Sequence, residues 1–297
     1  MSSTTPQNAP ENMQVQVVDY TAADAPQRFV KSLRETGFGV LINHPIQQSL
    51  VESIYKNWYE FFSDNNSSTE NKTNFAFDAE KQDGYFAPEI SETAKGHRHK
   101  DIKEYYHVYP WGRIPASLKD EILAYYQLAS KLAAELLDWV EEHSPKNIAE
   151  KYSMPLSSMI KDTPNTLLRV LHYPPLTGDE EPGAIRAAAH EDINLLTILP
   201  AANEPGLQVQ QQDGNWLDVP ADFGNLIINI GDMLQEASGG YFPSTSHRVI
   251  NPTGKGSDKS RISLPLFLHP RSEVALSEKH TQASYLLERL RELGVKT

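Results

Sequence analysis

The chain has 297 residues, 39% of them apolar, and carries a net charge of −12 with a pI near 5.3. That length can bury one large core, and so acidic a chain is poorly suited to neutralising phosphates, which argues against a nucleic-acid partner. Zero cysteines exclude disulfides, thiolate zinc sites and cysteine nucleophiles, and neither a membrane-length apolar run nor a Gly-rich phosphate loop is present.

In chain order, residues 1–13 are rich in Ser, Thr, Pro, Asn and Gln and read as a disordered tail. Phe29, Val30 and Leu33 then set one helical face, closed by Gly37, with a strand following it. Leu50, Ile54, Trp58 and Phe61 recur at helical spacing and predict a second amphipathic helix. A longer helix is expected from about Ser117 to Glu142, with Ile122, Leu132, Leu136 and Val140 on its apolar side. From Asn165 the pattern changes to short apolar or alternating runs separated by turn residues. The expected strands are Leu167 to Tyr173, Asn194 to Leu199, Leu207 to Gln210, Trp216 to Val219, Leu226 to Ile230, His247 to Ile250 and Ile262 to Leu268. Asp213-Gly214 is a hairpin signal, and strands at such intervals suggest a sandwich or barrel.

His190, Asp192 and His247 carry the chemistry. One residue separates His190 from Asp192, so an extended segment points both side chains to the same side, and the apolar run after them reads as a buried strand. His247 opens another strand. Two imidazoles and one carboxylate can occupy one face of a six-coordinate ferrous ion and leave the opposite face open. A second H-x-D, His99-Lys100-Asp101, sits in the charged run Lys95 to Lys103 and is expected to be a solvated loop. Further on, Arg261 and Ser263 lie two apart on a strand, presenting a guanidinium fork and a hydroxyl suited to a carboxylate.

This ordered set resembles the 2-oxoglutarate and Fe(II)-dependent dioxygenases, specifically the branch that includes isopenicillin N synthase, from about Val15 to about Val274. Val15 to Tyr20 and Gly37 to His44 are similar to the family's opening strands. Gly84-Tyr85 and Asp101 to Glu104 are similar to the middle of its amino-terminal region, and Tyr173-Pro174-Pro175 to its "YPP" segment. The resemblance implies that His190, Asp192 and His247 hold Fe(II), while Arg261, Ser263 and Tyr173 grip the distal carboxylate of 2-oxoglutarate. O2 is then the co-substrate, ascorbate a candidate reductant, and succinate and CO2 the co-products. Leu171 departs from the pattern, standing where many plant members carry an Asn. The motif leaves open an oxidase in which Arg261 and Ser263 bind the substrate itself and no 2-oxoglutarate is used. A metal-bearing sensing module is the remaining alternative.

The implied fold is mainly β with flanking helices: a double-stranded β-helix, or cupin-like jelly roll, closed by a helix near Ala283 to Leu293. Its expected regions are an amino-terminal part at 14–115, the long helix and connection at 116–160, and the jelly-roll core at 161–297, all in one compact unit. Arg186, Arg169, His107 and Tyr105 are candidate polar walls for a compact, carboxylate-bearing substrate. His44 is expected to be structural, and His172 a hydrogen-bonded wall residue. The expected setting is the cytoplasm, with a small-molecule substrate, no nucleic acid or membrane, and a monomer or weak homo-oligomer.

Overall fold

The structure, a computed structural model, describes residues 14–64, 69–90, 101–180, 183–202, 204–211, 213–252 and 259–292. The tail expected at 1–13, and His99, lie outside these. The strands are β1 (Val17–Asp19), β2 (Phe38–Ile42), β3 (Gly84–Phe86), β4 (Glu104–Val108), β5 (Leu167–Tyr173), β6 (Ala187–His190), β7 (Leu196–Pro200), β8 (Leu207–Gln210), β9 (Trp216–Asp218), β10 (Leu226–Ile230), β11 (His247–Val249), β12 (Arg261–Ser263) and β13 (Leu266–Leu268). The longer helices are α1 (Ala25–Thr36), α2 (Gln48–Ser63) and α3 (Ala116–Glu142). Three short ones follow, α4 (Lys146–Ala149), α5 (Leu156–Met159) and α6 (Asp232–Ala237), and α7 (Gln282–Glu292) comes last. None of these helices is long and apolar enough to cross a membrane.

A nine-stranded sheet runs β1-β2-β10-β7-β13-β5-β4-β3, with β12 also paired to β5, and a four-stranded sheet runs β6-β11-β8-β9. Together they form the jelly roll. Strand residues alternate faces, and in the larger sheet both faces are dry. Leu168 and Val170 of β5, Leu226, Ile228 and Ile230 of β10, and Ile262 of β12 pack with Phe29, Trp58, Leu132 and Leu136 of the first three helices. Leu171, Tyr173 and Ile227 fall in a second cluster inside the barrel, with Ala187, Val209 and Val249 of the smaller sheet. The parity of β12 therefore turns Arg261 and Ser263 inward, because Ile262 between them packs outward.

Local chemistry explains the element ends. Gly37 terminates α1 in the left-handed conformation at φ 74°, its N–H donating to Leu33 O at 2.9 Å. Gly214 supports the β8–β9 hairpin at φ 86°. Two expected strands come out differently. Ile262 to Leu268 is broken into β12 and β13, because Pro265 has no N–H to continue a ladder and instead accepts from Arg169 N at 3.0 Å. The run from Asn194 turns strand only at Leu196, because Asn194 lies in a turn packed against Gly231. There Gly231 N donates to Leu195 O at 3.1 Å, Asp232 N to Asp192 O at 2.7 Å and Met233 N to Asn194 O at 3.0 Å.

A Cβ at Gly231 would overlap both the side-chain and main-chain oxygens of Asn194. Gly231→Ala should therefore lower the unfolding free energy by about 1–3 kcal/mol through overpacking, read from urea denaturation. An unchanged midpoint would mean that this contact is not close in solution.

Candidate active site

His190 ends β6 and His247 begins β11, where the two are direct cross-strand partners. Asp192 follows in the turn that Gly231 and Asp232 hold. The His190 and His247 Nε2 atoms lie 3.9 and 3.7 Å from Asp192 Oδ1, and one donor atom from each residue falls within 4.8 Å of the others. Main-chain carbonyls fix both rings: His190 Nδ1 donates to Ala188 O at 2.8 Å and His247 Nδ1 to Thr245 O at 3.2 Å. Each Nε2 lone pair is thereby turned toward the shared centre. The third group is oriented as well. Asp192 Oδ2 accepts from Thr197 Oγ1 at 2.5 Å and from Asn229 Nδ2 at 2.7 Å, while Asn194 Nδ2 donates to Thr197 Oγ1 at 2.8 Å. Oδ1 is left for a cation.

Electrostatics point the same way. Burial raises the Asp192 pKa, but His247, His190 and the two hydrogen bonds outweigh it and hold the carboxyl below its ordinary value. Burial, with the neighbouring His247, pushes His190 down to about 4, so its imidazole is neutral and ready to ligate. Its side chain keeps 39% exposure, and it lines a cavity of about 880 Å³. Two imidazoles and one carboxylate, fixed on their far sides, fit a ferrous ion with open coordination positions.

Inside the barrel, Arg261 pairs in register with Tyr173, and Ser263 with Leu171. Arg261 is 3% exposed, and its Nη1 donates to Glu204 O and, at 2.7 Å, to Pro205 O. Its guanidinium stands 6.0 Å from the Tyr173 ring centre. Burial raises the Tyr173 phenol to about 12, against the pull of Arg261, so it stays protonated and can donate.

The four expected wall groups separate. Arg169 and His107 line the cavity with His190 and Asp192. Arg169 Nε donates to His107 Nε2 at 2.9 Å, and His107 Nδ1 donates to Gln82 O at 2.9 Å. Tyr105 is not among the residues lining that cavity: it is fully buried, stacked on Phe86 at 4.7 Å and covered by the Arg169 guanidinium at 4.5 Å. Arg186 is fully buried and also stands apart from that lining, with its Nη2 on Lys259 O at 2.8 Å. His44 Nε2 is tied to Gly224 O at 3.0 Å, and His172 is clasped between Glu104 and Ser260 at 2.7 and 2.6 Å.

Asp101 corrects the expectation of a solvated loop. It is 7% exposed, accepts from Ala188 N at 3.0 Å, and pairs with Lys103 Nζ at 2.6 Å. A charged run looked solvated because the pairing between its own members, two residues apart, cannot be read from composition; the pair neutralises both charges and permits burial. Directly after it comes β4, buried throughout. Lys103, Thr197 and Asn229 are site residues the sequence did not single out. For Asn229 a signal existed, its place on the inward face of β10.

Known proteins agree with this geometry. Residues 15–141 match the amino-terminal region described as "non-haem dioxygenase in morphine synthesis", and residues 164–270 match the 2OG-Fe(II) oxygenase superfamily. A crystal structure of a Shewanella oneidensis protein described as an oxygenase is 64% identical, covers 95% of this chain and 100% of its own, and superposes with a TM-score of 0.86. A Caulobacter crescentus 2OG-Fe(II) oxygenase family protein is 28% identical, with coverages of 94% and 99% and a TM-score of 0.76. Gibberellin 2-beta-dioxygenase 3 of Arabidopsis thaliana is 27% identical over 95% of this chain and 82% of its own. The chain belongs to the 2OG-Fe(II) oxygenase superfamily, and Fe(II) and 2-oxoglutarate are its cofactor and co-substrate.

Alanine at His190, Asp192 or His247 should abolish Fe(II) binding at micromolar concentration with little change in far-UV circular dichroism, since open sites contribute less to folding than closed ones. Thr197→Val should weaken Fe(II) binding by roughly 10- to 100-fold, the usual cost of losing a partner that orients a ligand. Anaerobic titration reads both, and stoichiometric binding by all three alanine variants would dismiss the triad.

Proposed function

We propose that this oxygenase oxidises a C–H bond of a small, carboxylate-bearing metabolite, releasing succinate and CO2 from 2-oxoglutarate. The observation that carries the substrate class is the cavity wall. Among the groups lining the cavity with His190 and Asp192 are the Arg169–His107 pair and the Lys103–Asp101 pair, which place two fixed cations in a recess that also holds carboxylates. A cation fixed in a recess can bind one carboxylate even when the whole surface repels long anions.

When bound, iron with 2-oxoglutarate and O2 supplies the oxidising power. The protein's own residues do the positioning. Asp101, itself held by Ala188 N, fixes Lys103, and the Tyr105 and Phe267 rings support the Arg169 guanidinium at 4.5 and 5.6 Å, so both cations are held before substrate arrives. Arg261, Ser263 and Tyr173 hold the distal end of the co-substrate, and the carbonyls of Glu204 and Pro205 aim Arg261. Trp111 and Phe267 add apolar wall. We place the enzyme in the cytoplasm, acting on a small molecule as a monomer or weak homo-oligomer, with its net charge of −12 disfavouring nucleic acid.

Arg261→Lys keeps the charge and loses the fork, so 2-oxoglutarate affinity should fall by about one to two decades. Unchanged affinity in Arg261→Ala would mean that Arg261 does not hold the co-substrate. Arg169→Gln should raise the KM of the true substrate by about tenfold or more while uncoupled succinate formation persists. A screen in which only neutral aromatic compounds couple O2 use to product would reject the carboxylate-bearing class.

A further inference from the structure

One charge in the barrel is left unexplained by this scheme. Arg186 is 0% exposed. Its main-chain N–H donates to Asn251 Oδ1 at 2.9 Å and its Nη2 to Lys259 O at 2.8 Å, while Nε and Nη1 have no hydrogen-bond partner. Arg261, also buried, is built alike: Nη1 is tethered by the Glu204 and Pro205 carbonyls, and Nε has no partner. One ion pair, Lys259 Nζ to Glu204 Oε1 at 3.1 Å, bridges the two tethering segments, so the arginines are held by a common frame.

The carboxylate nearest to hand, Glu204, is therefore already engaged by Lys259, and no ion pair to Arg186 or Arg261 is formed among the described residues. Burial pulls the pKa of Arg186 below its ordinary value, and the charge of Arg261 pulls it further; burial depresses Arg261 too. Two like charges buried together, with three donor nitrogens lacking a partner, cost folding free energy unless an anion comes between them. A single carboxylate has two oxygens, and each can accept from more than one N–H. Tyr173, in register with Arg261, feels both guanidiniums and keeps its proton to donate to the same group.

We infer that Arg186 and Arg261 form a two-guanidinium clamp on one carboxylate, the distal carboxylate of 2-oxoglutarate, with Tyr173 as a third contact. This rests on the reading that Arg261 faces the co-substrate, and it assigns Arg186 to the co-substrate, where the sequence suggested the substrate. The clamp is a selectivity device. A 2-oxo acid of equal chain length without the distal carboxylate satisfies none of the donors and leaves the two charges facing each other. Binding of the dicarboxylate removes that repulsion.

The test is calorimetric titration of the full chain, loaded anaerobically with Mn(II), using 2-oxoglutarate and 2-oxopentanoate. Arg186→Gln should weaken 2-oxoglutarate binding by roughly 10- to 100-fold, the size of a lost charge-assisted contact, while changing 2-oxopentanoate binding by less than about twofold. Arg186→Lys, which keeps charge and bulk, should fall between wild type and Arg186→Gln, and it carries the test if the glutamine variant does not fold. The 2-oxoglutarate-induced rise in thermal midpoint should shrink in both. If Arg186→Gln binds 2-oxoglutarate as wild type does while Arg261→Ala loses it, the clamp is overturned and the proposed function stands. A raised substrate KM alone would likewise overturn it, returning Arg186 to the substrate. If wild type binds both acids equally and Arg261→Ala changes neither, the co-substrate reading fails and takes the clamp with it.

Discussion

Asp192 must stay ionised inside protein, and much of the architecture around the metal site serves that demand. A buried carboxylate is costly unless its lone pairs are satisfied. Here one oxygen is satisfied by Thr197 and Asn229, from two neighbouring strands, and the other is kept for the cation and the two imidazoles. The donors can reach because β7 and β10 pair in register, with Asn229 opposite Thr197. That pairing begins at the tight approach of Gly231 to Asn194, where the main chain of one turn is bonded to that of the other. Sheet register, a glycine and two polar side chains thus converge on one oxygen atom.

The same reasoning orders the cations. Lys103 is buried with Asp101 as its partner, and its charge is largely cancelled within the protein. Arg261 and Arg186 are buried with only main-chain carbonyls as partners, which orient a guanidinium without neutralising it. Lys103 at the substrate cavity is thus compensated by Asp101, whereas Arg186 and Arg261 near Tyr173 form no ion pair among the described residues. Compensation separates residues that are complete in the folded chain from those that are completed by a ligand.

Sequence pattern carried most of the fold. The periodic faces of α1, α2 and α3 were legible because amphipathic spacing extends over several turns, and Gly37 marks a stop that few other residues can make. The ligands were legible because H-x-D meets a buried strand. What stayed hidden was long-range or depended on rotamers. Asp101 is paired by a lysine two residues on and by a main-chain N–H far along the chain. Tyr105 and His107 share a face of β4, yet only His107 reaches the cavity, since the Arg169 guanidinium covers Tyr105. Pro265 announced the break between β12 and β13, but the apolar residues on either side masked it.

Gly37 has a second neighbour besides its own helix. Space for a Cβ there is taken by Thr245 and Pro243, and Thr245 is the residue whose carbonyl orients the His247 ring. Phe38, next in the chain, meets that same ring edge-on at 5.5 Å, and Gly37 O accepts from Ile230 N at 2.9 Å. The amino-terminal part of the chain is thus a wall of the metal site, in contact with its last ligand. Grafting this region from a distant relative onto the jelly roll would exchange part of the iron environment as well as the outer shell, so the two halves of such enzymes are bound to change together.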